Sequence, residues 1–564
     1  MAKQIDELMD RLDHMKSVRH NNEHAWQEIS DLMMPFRGDI TTTRTEGTRR
    51  VTPVFDSTAM QAADTFVNFI KSAVIPSNVD WLKLEAQPPF EDDVTVQKIL
   101  DMTANRILRA LSESNFYMQA TSYLRDFAVL GNGSMYVSEQ KPQRNYDGST
   151  FGGLNFEAVP IARMWWDIGA DQRASMKVRM FEMPARDAYK FFGGQPGSYA
   201  DMLLKTGDTM GKVTYYHFCY ENENEVPKGL KSKTTKKFVS QFVCTDMQPE
   251  VVRESGYDYA PYIVSRWMVV DGEVYGRGRG HLARPDAKGI NELRRQILVA
   301  AGKDLAPVLM VENESVVNLD ISPNGLMVTR PPVKLTPSYL RSESNYQVAD
   351  MIAREDRDQI RKAFMGDVFE DPETQPRSAE ESRQRQSRVL QKMAAPAEVM
   401  SYEFLTPLIN SVMELMNRGG ALPELAALSQ EMDLDLQAKY QSPVFTAQKA
   451  SNTFKVQAFL ERRLMMFQAT QDPVWLDDVD YDAVTAYDGK VSDVPAEIFR
   501  TAEEIIKIRE ARAAQQALAM QQQMMQQQMQ QQQTMLQQDQ LMRQQQQNTA
   551  QGSPDIGGEE VMLG

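Results

Sequence analysis

The sequence predicts a mixed α+β, multidomain protein, and three observations carry that expectation. Residues 4 to 130 repeat apolar side chains at three- and four-residue steps, the period of helices packed by one face. From about 134 to 275 the pattern changes to short alternating runs such as NFEAVPIA, KVTYYHFCYE and KKFVSQFVC, separated by Gly, Pro, Asn and Asp clusters, as in a β-rich domain. Beyond 275 helical periodicity returns. A chain of 564 residues can bury several cores, and its length suggests roughly three or four domains.

Taken in order, Ile5, Leu8, Leu12, Met15, Trp26, Ile29 and Met33 predict one long or once-broken helix over 4–34, stopped by Pro35. Ala62, Phe66, Phe69, Ile70 and Ala73 predict an amphipathic helix over 56–75, and Trp81, Leu82 and Leu84 a short strand. Helices are expected at about 94–114 and 117–130, the second closed by Gly131-Asn132-Gly133 before the strand SMYVSE. Within the β-rich stretch at least one helix is expected, near Ala185–Phe192, and Trp165 and Trp166 should point to opposite faces of their strand.

Tyr275 to Lys303 is the most informative stretch. Gly276, Gly278 and Gly280 suggest a turn-rich hinge feeding a helix whose first turn holds Pro285 and Asp286. Ile290, Leu293, Ile297 and Ala301 share one face of it, with Lys288, Arg294, Arg295 and Lys303 mostly off that stripe. Five prolines and an Asn-Gly turn make the next forty or so residues a small β module. A capping box at Ser344–Gln347 then opens a second helix with Val348, Ile352, Ile360 and Phe364 on one face, so two antiparallel helices should form a stalk with a β tip. After Met365-Gly366 a polar loop leads to a further capping box at Ser378–Glu381 and a very long helix to Arg418, ended by Gly419-Gly420. Pro396 and Pro407 inside it must kink or break the rod. Helix is expected again from about Ala496. The 19 Gln between Gln515 and Gln547 cannot build a core, yet Leu518, Met525, Met529 and Leu536 repeat as in a coiled-coil seam; a partly disordered tail and helices bundled between subunits both fit.

Composition narrows the function. No apolar run approaches a membrane span, and the charged N-terminus MAKQIDELMDRLDHMK lacks a signal-peptide core, so cytoplasmic synthesis and no membrane partner are expected. Cys219 and Cys244 are too few for a disulfide framework or structural zinc and should be buried thiols in neighbouring strands. A net charge of −15 argues against gripping nucleic acid over the whole surface but suits a surface past which DNA slides.

Nucleotide motifs fail on spacing. The third glycine of a dinucleotide fingerprint should come three positions after the second, and Gly280 comes two after Gly278. GDTMGKV at 207–213 is one residue short of a phosphate loop and has Val213 where Ser or Thr is required. No cofactor is expected. His20, Glu23 and His24 match HxxEH, a spacing used by inverted zinc peptidases, but a solvated polar helix face is the reading favoured over a metal site, and no further ligand stands out. Arg377, Arg383, Arg385, Arg388 and Lys392 form a basic cluster that either is a solvated face or meets a polyanion or an acidic partner. Arg354, Arg357, Arg361 and Lys362 are interleaved with acids and read as ion pairs.

The order of these parts resembles the portal, or head-to-tail connector, proteins of short-tailed bacteriophages from about residue 5 to 425. The specific pieces are PVFDSTAMQAADTFVNFIKSAVIPSNVDWLKLE (53–85), DFAVLGNGSMYV (126–137), APYIVSRWMVVDGEVYGRGRG (260–280) and the segment 377–424 that begins RSAEESRQRQSRVLQKM. The resemblance implies a portal-type fold: a wing over 1–283, stem helices at 284–304 and 344–365, a clip at 305–343, a tunnel loop at 366–377, a kinked wing helix at 378–420, a C-terminal wing or crown at 421–514 and a Gln/Met-rich tail at 515–564. It implies a non-enzymatic virion protein forming a dodecameric ring at one capsid vertex. Its partners would be double-stranded DNA held transiently, the terminase large subunit, tail adaptor proteins, and capsid and scaffolding proteins. Lys288, Arg294, Arg295, Lys303, Arg377 and Arg383 are the candidates for facing DNA, and Gly276, Gly278, Gly280, Pro396 and Pro407 for hinges and kinks. Two other readings are a zinc-dependent maturation enzyme using HxxEH and a Gln-rich scaffolding or internal virion protein.

Overall fold

A computed structural model describes residues 2–37, 39–42, 47, 54–88, 90, 93–141, 149–222, 235–306, 308–312, 318–319, 322, 325–329, 338–340, 346–366, 392–431, 436–441, 456, 459–471, 479–480, 483–484 and 502–550. The chain divides into two compact units, Met1–Val494 and Pro495–Gly564.

The mixed α and β character is observed. Helix α1 (Ala2–Met33) is unbroken and serves two cores. Leu8, Leu12 and Met15 pack with Trp165, Val178, Phe218 and Val239, whereas Trp26, Ile29 and Met33 belong to the main core. Between them the buried Arg19 guanidinium donates to the carbonyls of Ile161 and Met164 at 2.8 and 3.0 Å and lies over the Trp165 ring. Then follow α2 (Thr58–Val74), β1 (Leu82–Ala86), α3 (Val94–Glu113) and α4 (Phe116–Arg125). The expected helix over 117–130 ends in a π-turn, Asp126–Leu130, closed by Gly131 at φ 91°. Strand β2 (Asn132–Glu139) begins two residues before SMYVSE, because Asn132 and Gly133 already pair with Arg266 and Ser265 of β9 (Tyr262–Arg266).

Strands β3 (Leu154–Ala158), β2 and β9 make one antiparallel sheet. A second, five-stranded and antiparallel, runs in sequence order through β4 (Met164–Ile168), β5 (Ala174–Pro184), β6 (Lys212–Glu221), β7 (Phe238–Cys244) and β8 (Glu250–Tyr257). Trp165 and Trp166 do take opposite faces, Trp165 in the smaller core with α1 and Trp166 in the main one. Cys219 and Cys244 are buried free thiols on the adjacent strands β6 and β7. Helix α5 (Ala185–Phe191) is the expected one, and α6 (Ser198–Thr206) is a second that its short pattern did not signal. Gly207, at φ 84°, caps α6, so the phosphate-loop-like GDTMGKV is a helix end and a turn.

Helix α7 spans Arg279–Leu305, which corrects the expected start near Pro285: the proline lies inside the helix, where it removes the bond to the His281 carbonyl. Burial of Gly280, Ala283, Ala287 and Ile290 against the main core offsets that loss. The β module contains β10 (Val308–Glu312), β11 (Asn318–Leu319), β12 (Leu326–Thr329) and β13 (Ser338–Leu340) in the order β11-β12-β10-β13, with β10 and β12 parallel. Helix α8 (Tyr346–Ala363) follows; Ile360 and Phe364 are buried, but Val348 and Ile352, expected on the same packed face, are exposed. The capping boxes at 344 and 378, Arg377, Arg383, Arg385 and Arg388 lie outside the described residues.

The described part of the long helix is segmented. Met393 is a turn, α9 (Ala394–Met400) holds Pro396 in its first turn, a π-turn covers Ser401–Leu405, and α10 (Thr406–Arg418) carries Pro407 at its start. Each proline therefore sits where an N–H has least to lose. Gly420, at φ 71°, closes α10 with bonds from Ala421 N–H to the Met416 carbonyl and from Gly420 N–H to that of Asn417. Helix α11 (Pro423–Glu431) leads to β14 (Leu436–Tyr440), which pairs with β1. The second unit contains a helix of 49 residues, Ala502–Ala550.

Candidate functional site: the α7–α8 pair and its anchoring seam

The arrangement starts from three glycines. A Cβ on Gly276 would lie 2.6 Å from the Gly131 carbonyl oxygen, on Gly278 2.5 Å from Gly131 N, and on Gly280 2.6 Å from the Val129 carbonyl oxygen. Where the sequence suggested a hinge, the backbone of 276–280 is pressed against the 129–133 turn. Asn132 fastens the contact: its amide donates to the Gly276 carbonyl at 2.9 Å and accepts from Gly276 N–H at 2.8 Å. His281 Nδ1 accepts from Gly278 N–H at 3.3 Å, and burial, aided by Arg277 and Arg284, pushes that imidazole down to about 4.

From this seam α7 runs antiparallel to α8, since Tyr346 at the start of α8 hydrogen-bonds Asp304 at the end of α7 while Asp356 lies beside Gly289. A third element locks the pair. Asn291 Oδ1 accepts from Phe55 N–H at 2.6 Å and from Asp56 N–H at 3.3 Å, and Arg357 donates to Asp56 Oδ2 at 2.8 Å. The Asp56 side chain is 7% exposed. Burial, the largest influence, pushes its carboxyl up, but hydrogen bonds from Thr58 and Arg357 together outweigh it and hold Asp56 below the ordinary carboxylate range. Asp356 moves the other way, raised by burial and then by the charges of Asp286 and Glu355. A cleft of about 200 Å³ between the helices is lined by Ile290, Arg294, Ile297, Tyr346, Asp350, Ala353 and Arg357.

Of the expected basic residues, Lys288 pairs with Glu28 at 2.8 Å and Arg295 with Glu292, while Arg294 and Lys303 are exposed on α7. These residues line one helix; they do not converge on a point. His20 and His24 are exposed, and each lies against a different acid: His20 Nδ1 is 3.4 Å from Glu23, and His24 Nδ1 is 3.9 Å from Glu28. Glu23 is also held by Arg19 at 2.8 Å, and among the described residues no three His, Cys, Asp or Glu side chains gather around a possible metal position. Of the clamp of Asp56, Asn291 and Arg357 the sequence singles out only Arg357, as an ion-pair residue; Asp56 lies more than two hundred positions from both Asn291 and Arg357, a separation that gives no periodic signal. Asp126 could have been singled out: it is a lone acid at the head of the apolar run FAVL, and Arg37 neutralises it at 2.8 Å.

A family model described as the bacteriophage head to tail connecting protein matches residues 5–499, taking in the glycine seam, α7, the β module and α8. The chain belongs to the head-to-tail connecting protein family. It is 25% identical over 536 residues to the portal protein of Salmonella phage epsilon15, covering 91% of this chain and 93% of that one. It is 23% identical over 543 residues to the probable portal protein of Bordetella phage BPP-1, covering 92% and 93%. A chain from the virion of a native gene transfer agent particle aligns over 76% of this chain and 95% of its own at 11% identity with a TM-score of 0.32. The function of this connecting protein is that of a portal joining phage head to tail, a structural role within the virion. Among its described residues no helix is long and apolar enough to cross a membrane.

Proposed function

We propose that about twelve copies of this connector close into a ring at one capsid vertex, leaving a channel through which double-stranded DNA is packaged and later ejected. The observation that carries the reading is the antiparallel α7–α8 pair with a small sheet between its helices, inside a family match that spans 5–499. On this reading 284–304 and 344–365 are stem helices around the channel, 305–343 is a clip that meets the terminase large subunit and afterwards tail adaptor proteins, and 366–377 is a tunnel loop. Residues 1–283 and 378–420 form the wing that contacts capsid and scaffolding proteins, and 421–514 the crown. The protein is made in the host cytoplasm, does no chemistry of its own and needs no cofactor.

A net-acidic channel repels the DNA backbone and lets it slide, while sparse cations such as Lys288, Arg294, Arg295, Lys303, Arg377 and Arg383 make passing phosphate contacts. The mixed charge of α7 and α8, with Asp286, Glu292, Asp350 and Asp356 among the arginines, supports this. The test is the native mass of the purified full-length protein, with electron micrographs of the particles. Twelve chains of 64.1 kDa give roughly 770 kDa with a central hole, because only a head-to-tail interface with a closing rotation makes such a ring. A monomer or small oligomer would overturn the proposal for the free protein.

A further inference from the structure

The five-stranded sheet has two unlike ends. At one, Cys219 of β6 and Phe238 of β7 pack in the main core, which also holds α7 and α8. About 20 Å along β6, Val213 and Tyr215 pack with α5 and α6 in a core of their own. Several pieces of chain are fastened together at that second end. Ala185 and Arg186, at the start of α5, donate to the carbonyls of Gly211 and Thr209 at 2.9 and 3.2 Å. A Cβ on Gly211 would lie 2.9 Å from Leu203 of α6, and Asp246 accepts from Thr214 N–H at 2.6 Å, which ties the turn after β7 to the start of β6.

Each of these pieces leaves large apolar side chains exposed: Met202 on α6, Met210 in the turn before β6, Met247 in the turn after β7, and Tyr189 and Phe191 on α5. A single exposed apolar residue is ordinary, but three methionines on tied segments of one sheet end are not. Methionine is unbranched and flexible, with a polarisable sulfur, so it makes apolar contact without dictating the shape of what it meets. The position of the patch limits the partner. It lies at the end of the sheet that does not join the core of α7 and α8, the helices placed around the channel in the ring proposed above, and so toward the outside of that ring. Neighbouring copies in a ring repeat one geometry, which rigid and directional contacts can serve. A capsid vertex repeats five-fold, so about twelve copies meet the surrounding shell in unlike relative positions, and only an adaptable surface suits them all.

We infer that Met202, Met210 and Met247, with Tyr189 and Phe191, form the surface by which each copy seats against the protein subunits of the head shell. This inference rests on the ring proposed above and names the part of its wing that meets the shell. The contact is apolar and tolerant of shape, so one patch serves every position around the vertex.

The full-length variant Met202→Glu/Met210→Glu/Met247→Glu, produced together with the shell proteins of the same virion, tests it. Native mass reads the ring, and the amount of this chain in purified heads reads its seating. The variant is expected to keep the parent's native mass and to enter heads at least about tenfold less than the parent. Met202→Gln/Met210→Gln/Met247→Gln, which adds no charge, should also lose seating and gives the same reading if the glutamates prevent folding. Entry at the parent's level would overturn the inference and leave the ring standing. Loss of the ring in a variant that melts like the parent would place the patch between copies and overturn it too. A benzophenone label on Met210→Cys is selective because Cys219 and Cys244 are buried. Illuminated in heads, it should join this chain to the shell protein; joining to a second copy of this chain would count against the inference. A parent chain that forms no ring would sink both proposals.

Discussion

Tyr123 and Phe404 stack with ring centroids 4.0 Å apart and planes at 19°, and each belongs to a π-distorted helix end. Tyr123 precedes the π-turn Asp126–Leu130, and Phe404 lies within Ser401–Leu405. Each π-turn carries an acid held by an arginine: the buried Asp126 by Arg37, and the half-buried Glu403 by Arg266, whose guanidinium reaches it at 2.7 Å. The first π-turn supplies Val129, against which α7 begins. The two irregular turns thus join the segmented helix at 394–418 to the foot of α7 through one aromatic contact.

Phe404 is fully buried, so Phe404→Ala should cost about 3–5 kcal/mol, the usual loss for a large core aromatic. Tyr123→Phe keeps the stack and removes only the hydroxyl bonded to Ser265, costing about 1 kcal/mol. Chemical denaturation of both variants checks this; equal losses would mean that the stack contributes little.

The glycine seam predicts opposite outcomes on one helix. Gly278→Ala and Gly280→Ala drive a methyl into the backbone of 129–131, so the soluble yield of assembled protein should collapse. Gly302→Ala, with nothing within 4 Å of its Cβ, should leave assembly intact and raise stability by up to about 1 kcal/mol. Yields and melting temperatures of the three variants decide it.

His217 predicts a pH dependence. It is buried between Tyr262 and Ser240, at 2.7 and 2.8 Å, and burial followed by the charges of Arg179 and Arg253 pushes it down to about 3. A histidine depressed by folding contributes stability fully present above its unfolded pKa near 6.5 and lost as pH falls toward the folded value. Between about pH 6 and 4 the wild type should lose close to 1.4 kcal/mol per pH unit more than His217→Asn. Denaturant titrations at several pH values would show parallel profiles if His217 were not responsible.

Arg294 is exposed, and Arg295 pairs with Glu292 on the surface of the same helix. Arg294→Glu/Arg295→Glu should therefore leave native mass unchanged while lowering the amount of DNA packaged or retained in particles. Loss of the assembled species itself would make these arginines intersubunit contacts instead.

Much of this protein was legible in its sequence because local periodicity and punctuation act over a few residues. The helix of Ala2–Met33, the strands after 132, the Gly420 cap and the opposite facings of Trp165 and Trp166 all follow from spacing that neighbouring residues enforce. Tertiary structure alone decided what depends on residues far apart. Pro285 reads as a helix start, yet packing of Gly280 and Ala283 on the core extends α7 past it. Pro407 reads as a kink or break of the rod, but that the break takes the form of a π-turn over Ser401–Leu405 just before it is not readable from spacing. Gly276, Gly278 and Gly280 read as freedom and are instead the closest backbone contacts of the seam, because only the folded chain brings Val129 and Gly131 against them.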